Sequence, residues 1–219
     1  SSLSSIPDKR HDFMSNNDLA HHLTDTYPQT PTVWQDGWCS LAQPIASPNF
    51  GPRPQNCEID LLVIHSISLP PGEFSGHYIT DLFTNQLDWD AHPYFQSIKG
   101  LEVSCHFLIR RDGNIIQYVS CNERAWHAGN SCYRGRYNCN DDSIGIELEG
   151  LEGGLFTEHQ YQSLVNLTQT LVQRYPISHI AGHEHIAAGR KFDPGAGFDW
   201  LQFSKNFISN QIKFPHQVV

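Results

Sequence analysis

The stretch from Gly182 to Gly195 constrains this chain more than any other. It reads Gly-His-Glu-His-Ile-Ala-Ala-Gly-Arg-Lys-Phe-Asp-Pro-Gly and sets His183, His185, Lys191 and Asp193 in one loop. Glycines at 182, 189, 195 and 197 argue against a merely solvated loop, because they let a backbone thread closely around something. A distant partner is His65, at the end of the apolar run Leu61–Ile64. Two histidines and one carboxylate from separate segments are a common way to hold a catalytic zinc with one position left for water. Any fold must then bring the end of an early strand against a late loop. Alone, His65 reads as a rim residue; the second loop makes it a candidate ligand. His183 and His185 lie two apart, so both could face one metal in an extended segment and only one in a looped segment.

Periodicity supplies the elements. Leu61–Ile64 is continuously apolar, as expected of a strand buried on both faces. Val103, Cys105, Phe107 and Ile109 share one face of an alternating run, and Asp112-Gly113 reads as a tight turn into Ile115–Val119. Ser143–Glu149 alternates again. Thr157 and Gln160 fit a capping box, and Tyr161, Leu164, Val165, Thr168, Leu171 and Val172 recur at helical spacing until Pro176. Shorter helical patterns cover 76–85, 93–98 and 199–207, the last capped by Asp199, and Ile180-Ala181 is a short strand before the loop. Six prolines between 28 and 54 make that stretch extended and irregular. The pattern predicts one α/β domain, a mixed central sheet flanked by helices, with the hairpin excluding an all-parallel sheet. Residues 33–210 are its expected extent. Residues 1–32 read as a polar arm with one helical turn at 18–23, and 211–219 as a tail. Met14 is the only methionine, so 1–13 read as leader or appended sequence.

A length of 219 residues suits one domain better than two. With 14 Lys+Arg against 23 Asp+Glu, the formal charge is -9, which disfavours nucleic acid, anionic membranes and wall polymers and favours a small soluble substrate. No apolar run approaches the ~18 residues that cross a bilayer, and no signal-peptide core is evident. The six cysteines form no C-x-x-C pair, which argues against a zinc ribbon and for free thiols in a reducing compartment.

Glu147 and Glu149 lie on the strand face opposite Ile144, Ile146 and Leu148. A carboxylate inside a central strand is costly unless paired, metal-linked or protonated. Burial would raise the pKa of Glu147 toward that of a general base; a wet face would leave both glutamates solvated. Trp126, His127 and Gly129 suit either a sugar-binding wall or a core tryptophan beside a rim histidine. H-E-x-x-H, P-loop, dinucleotide and G-x-S-x-G signatures are absent.

Taken together, several motifs resemble one family. They are His65 after its apolar strand, Cys105–Gly113, Ala125–Gly129, Asn140–Gly150, Gly182-His183 and Gly189–Gly195. Their order and spacing are similar to those of the AmpD-type N-acetylmuramoyl-L-alanine amidases of the peptidoglycan-recognition-protein-like superfamily, over roughly residues 37–207. The resemblance implies the fold of that superfamily and one Zn2+ held by His65, His183 and Asp193. Glu147 would be the base, Lys191 the oxyanion partner, and His185 not a ligand. Ser66, Trp126, His127 and Arg190 would contact substrate. It implies a cytoplasmic enzyme, expected as a monomer, that cuts 1,6-anhydro-N-acetylmuramoyl peptides in peptidoglycan recycling and so influences β-lactamase induction. The alternatives are a muramyl-peptide binding module, usually marked by a lost ligand, and an exported wall amidase. Departures from the family are Ser66, where an Asn usually follows the first ligand, and Glu102 and Asn138, where basic residues are common. Residues 69–76 and 130–138 are the expected groove walls.

Overall fold

The computed structural model describes residues 32–207 and 211–215. The expected helical turn at 18–23 lies outside them. The main elements are β1 (Gln43–Pro44), β2 (Leu61–Ile67), α1 (Tyr78–Phe83), β3 (Phe107–Ile109) and β4 (Ile115–Gln117). They continue with β5 (Ser143–Glu149), α2 (Glu158–Arg174), β6 (His179–Gly182), α3 (His183–Ile186) and α4 (Trp200–Ser204). One six-stranded sheet runs in the order β6-β2-β5-β3-β4-β1. Neighbours are parallel except β3 and β4, the hairpin turning at Asp112-Gly113. The sheet is therefore mixed, with helices packed against it.

Leu62 and Ile64 of β2 and Ile144, Ile146 and Leu148 of β5 face α2, where Leu164, Leu167 and Leu171 are fully buried. Burying each such leucine contributes about 1.5–3 kcal/mol. The capping box forms as read: Thr157 Oγ1 accepts from Gln160 N, and Gln160 Oε1 accepts from Thr157 N, both at 3.1 Å. Gln160 has a second task, since its Nε2 donates to the carbonyls of Ile109 and Glu149 at 3.1 and 2.8 Å. It thereby ties α2 to the ends of β3 and β5. The opposite sheet face meets Ile79, Leu82 and Phe83 of α1 and Phe95 of a 3-10 helix, Pro93–Ile98.

Some expectations change. Strand β2 continues two residues beyond His65, so this side chain lies within the sheet. Only Phe107–Ile109 of the 103–109 run is strand; Cys105 packs on the α1 side while Phe107 and Ile109 pack toward α2. The final helix is Trp200–Ser204, capped by Asp199 as expected. The proline-rich stretch carries short paired strands, Trp34–Gln35 with Trp38–Cys39 and Phe50–Gly51 with Arg124–Ala125. Ile212 and Phe214 are buried in the α2-side core, so the chain beyond 210 contributes to packing where the sequence suggested a tail.

Candidate metal centre

Strand pairing assembles the site. In the parallel register of β5 with β2, Glu147 sits opposite His65. Period-two alternation aims both side chains at the sheet face away from α2. Strand β6 pairs with the other edge of β2 and ends at Gly182, which delivers His183 one residue later. His183–Ile186 is a helical turn, so two residues rotate about 200° and His185 turns away. The His185 Nδ1 instead accepts from Gly182 N at 2.8 Å. Asp193 enters from the following loop, where Glu184 N donates to its carbonyl at 2.9 Å.

His65, His183 and Asp193 form a buried group whose ligand atoms all lie within 4.8 Å of one another. His65 Nδ1 and His183 Nδ1 are 2.9 Å apart. Asp193 Oδ2 is 3.4 Å from the first and Oδ1 is 3.2 Å from the second. Donors around a tetrahedral zinc are separated by about 3.3 Å, as bond lengths of about 2.0–2.1 Å require. The set fits such an ion. His183 Nε2 lies 3.0 Å from the carbonyl of Ala128. A carbonyl only accepts, so that nitrogen carries the proton and Nδ1 of the neutral ring offers a lone pair toward the other donors.

Electrostatics distinguishes the groups. Burial, then the neighbouring His183, pushes His65 down to about 4. Burial drives the Glu147 carboxyl well above the usual glutamate range, the Asp193 charge adds to this, and Lys191 opposes it. Glu147 Oε1 is 3.8 Å from His65 Nδ1, while its buried Oε2 has no hydrogen-bond partner. The buried Ser66 Oγ is likewise unpartnered. Its backbone N–H donates to Asp193 Oδ2 at 3.3 Å.

These groups floor a groove of about 420 Å³ whose walls include Leu69, Tyr94, Leu101, Trp126, Leu151 and Lys191. A larger cleft of about 720 Å³, beside Leu155 and Trp200, contains none of the three donors. Trp126 is half-buried in the groove wall and Lys191 is exposed at it. The segment 69–76 contributes Leu69 and Pro71 to the wall. The segment 130–138 instead forms a hairpin, Cys132–Tyr133 with Arg136–Tyr137, whose arginines pair with Asp60. Arg190 Nη2 donates to the carbonyls of Ala128 and Asn130 at 2.8 and 2.9 Å, which ties the aspartate-bearing loop to the segment after Trp126.

His127 is buried, and both its ring nitrogens are occupied: Nδ1 lies 2.8 Å from His65 Nε2, and Nε2 lies 3.0 Å from Ser143 Oγ. Burial, reinforced by the neighbouring imidazoles, pushes its pKa well below the usual histidine range. Its ring rests on Gly145, where an added Cβ would approach the ring to 2.5 Å. Asn140 Oδ1 accepts from the backbone N–H groups of His127 and Ala128 at 3.0 and 2.8 Å. The sequence reading gave no task to Asn140, Ser143 or Gly145. A lone glycine within a buried strand was the available signal, since it marks close approach.

Comparison with known proteins gives a consistent picture. Residues 55–196 match the family model described as N-acetylmuramoyl-L-alanine amidase. The chain is 52% identical over 170 residues to the 1,6-anhydro-N-acetylmuramyl-L-alanine amidase AmpD of Citrobacter freundii, covering 77% of this chain and 91% of that protein. It is 51% identical over 171 residues to the AmpD of Escherichia coli K12, covering 77% and 93%. A crystal structure of a selenomethionine AmpD derivative superposes with a TM-score of 0.78 at 50% identity, covering 81% of this chain and all of that one.

Proposed function

The chain belongs to the N-acetylmuramoyl-L-alanine amidase family, and from that premise we propose a specific reaction and assign its parts. The enzyme hydrolyses the amide joining the lactyl group of 1,6-anhydro-N-acetylmuramic acid to L-alanine in soluble muropeptides, as a cytoplasmic step of peptidoglycan recycling. Support comes from the AmpD relatives at about half identity across nearly their whole length. The observation that carries the chemistry is the convergence of His65, His183 and Asp193 beside Glu147 at the floor of one groove.

His65, His183 and Asp193 would hold zinc. Bound there, zinc would lower the pKa of water and polarise the scissile carbonyl. Glu147 takes the proton from the attacking water through its unpartnered Oε2. A carboxyl raised by burial is a stronger base once ionised than an exposed glutamate. Glu147 then returns that proton to the alanine nitrogen as the C–N bond breaks. Water is consumed: its oxygen enters the lactyl carboxylate, and its two protons end on the alanine nitrogen, which leaves as an ammonium group. Lys191, at the groove wall, supplies positive charge to the developing oxyanion. Trp126 receives the sugar on its face, and the Ser66 hydroxyl meets a polar substrate atom.

Incubation with 1,6-anhydro-N-acetylmuramoyl-tripeptide, read by mass spectrometry, tests the proposal. Release of free tripeptide, stopped by a chelator and restored by zinc, is the expected result. Intact substrate in a zinc-loaded sample would overturn it.

A further inference from the structure

We infer that His127 is a positioning residue which, through a one-way hydrogen-bond chain anchored on the Cys139 carbonyl, fixes the tautomer of the ligand His65. This rests on the reading that His65, His183 and Asp193 hold zinc.

Donor and acceptor accounting sets the direction of the chain. Ser143 Oγ donates to the Cys139 carbonyl, which can only accept. A hydroxyl has one proton, so Ser143 Oγ must accept from His127 Nε2, 3.0 Å away. The neutral His127 then has a bare Nδ1. That nitrogen can only accept, and the group facing it at 2.8 Å is His65 Nε2. His65 therefore carries its proton on Nε2 and turns a lone pair on Nδ1 toward His183 and Asp193. Ala128, the next residue, does the same for His183 through its carbonyl. Two consecutive residues thus orient both imidazoles, and Asn140 clamps the backbone N–H of each.

The surrounding structure keeps the chain in place. His127, Ser143 and His65 are all buried, so water does not compete for these bonds. Gly145 lies under the His127 ring and leaves the space it fills. The assignment also changes the expected role of this histidine. With both ring nitrogens used inside the protein, His127 acts on the metal site through His65 and has no polar ring atom left for substrate.

Substitution tests the chain in a way that separates packing from tautomer control. His127→Phe keeps a ring over Gly145 but removes the acceptor; His127→Asn restores an acceptor near the Nδ1 position. Removing a group that orients a metal-ligating histidine typically weakens metal binding by about 10–100-fold. Chelator competition is expected to give that loss for His127→Phe and recovery to within about threefold of the parent for His127→Asn. Ser143→Ala keeps both rings and frees only the direction of the chain. In the metal-free parent, long-range 1H–15N correlation spectra of histidine-labelled protein should place the His65 and His127 protons on Nε2. In Ser143→Ala a population of His127 with the proton on Nδ1 should appear. A parent His65 protonated on Nδ1, or His127→Phe binding zinc as tightly as the parent, would overturn the inference. Should His127→Phe fail to fold, the spectra of the parent and Ser143→Ala decide. A parent that binds no zinc at all would instead sink the metal assignment, while its spectra would still report the tautomer.

Discussion

Strand β5 presents two different surfaces along one face. At its start, Ser143 is hydrogen-bonded to both His127 and Cys139, and Gly145 makes room for the His127 ring. Two residues further on, Glu147 is also buried, yet its Oε2 has no partner, and neither has the Oγ of Ser66 on the adjoining strand. A buried polar atom left unpaired costs about 1–3 kcal/mol. The His127–Ser143 chain behind the donor triangle is fully bonded, whereas Glu147 Oε2 and Ser66 Oγ, in two residues that line the groove, are not. Satisfied groups hold the donors in one geometry, and unsatisfied ones retain affinity for a ligand. The distinction between holding and reacting is thus made over a few residues of a single strand.

The largest test removes the triangle itself. His183→Ala is expected to lose zinc and reduce turnover to background, and metal content after gel filtration should fall with activity. Retention of one zinc per chain would show that the donors lie elsewhere. Glu147→Gln probes the front alone. Its turnover should drop by about 10²–10⁴-fold, the usual contribution of a general base, with zinc still bound. Thermal stability should hold or rise, because an amide replaces a carboxylate that is costly to ionise there. Full activity in this variant would remove Glu147 from the chemistry.

Gly145→Ala probes the back. A methyl group there would press on the His127 ring, and overpacking of this kind costs about 1–3 kcal/mol. Both melting temperature and zinc affinity should fall, and an unchanged affinity would uncouple the ring from the metal site. Ser66→Ala should be the mildest. Stability should hold or rise, because a buried hydroxyl without a partner is removed, and zinc affinity should not move, while KM rises. If Ser66→Ala weakened zinc binding as Gly145→Ala does, the division between the two surfaces would fail.

The legible parts of this architecture are those encoded by nearby residues. Strand β5 spans the bounds its alternation suggested, and the Thr157–Gln160 cap depends on two side chains within one turn. The pattern brought His65, His183, His185 and Asp193 forward but left the two loop histidines open; the family resemblance singled out the three that the fold gathers within 4.8 Å. Whether Glu147 was wet or dry was not, since α1, the 3-10 helix and the 126–128 segment cover that face from distant parts of the chain. The bonding of His127 was equally opaque: it depends on a ring meeting Gly145 and Ser143 after the sheet has closed. Ile212 and Phe214 are too few to form a readable period, yet both are buried.

The placement of β2 between two later strands also orders events in time. His65 and His183 are 118 residues apart, and both neighbours of β2 in the sheet, β5 and β6, follow it in the chain. At roughly 5–20 residues per second, synthesis takes on the order of 6–26 s to travel from His65 to Asp193. Through that interval the first imidazole is already made, but its partners have not left the ribosome. Metal capture by these donors would therefore be a closing event of biogenesis, too late to template the early sheet. With Asp193 as the third donor, chains released before residue 193 would lack the activity, and the cell would meet it only in molecules whose synthesis has passed that residue.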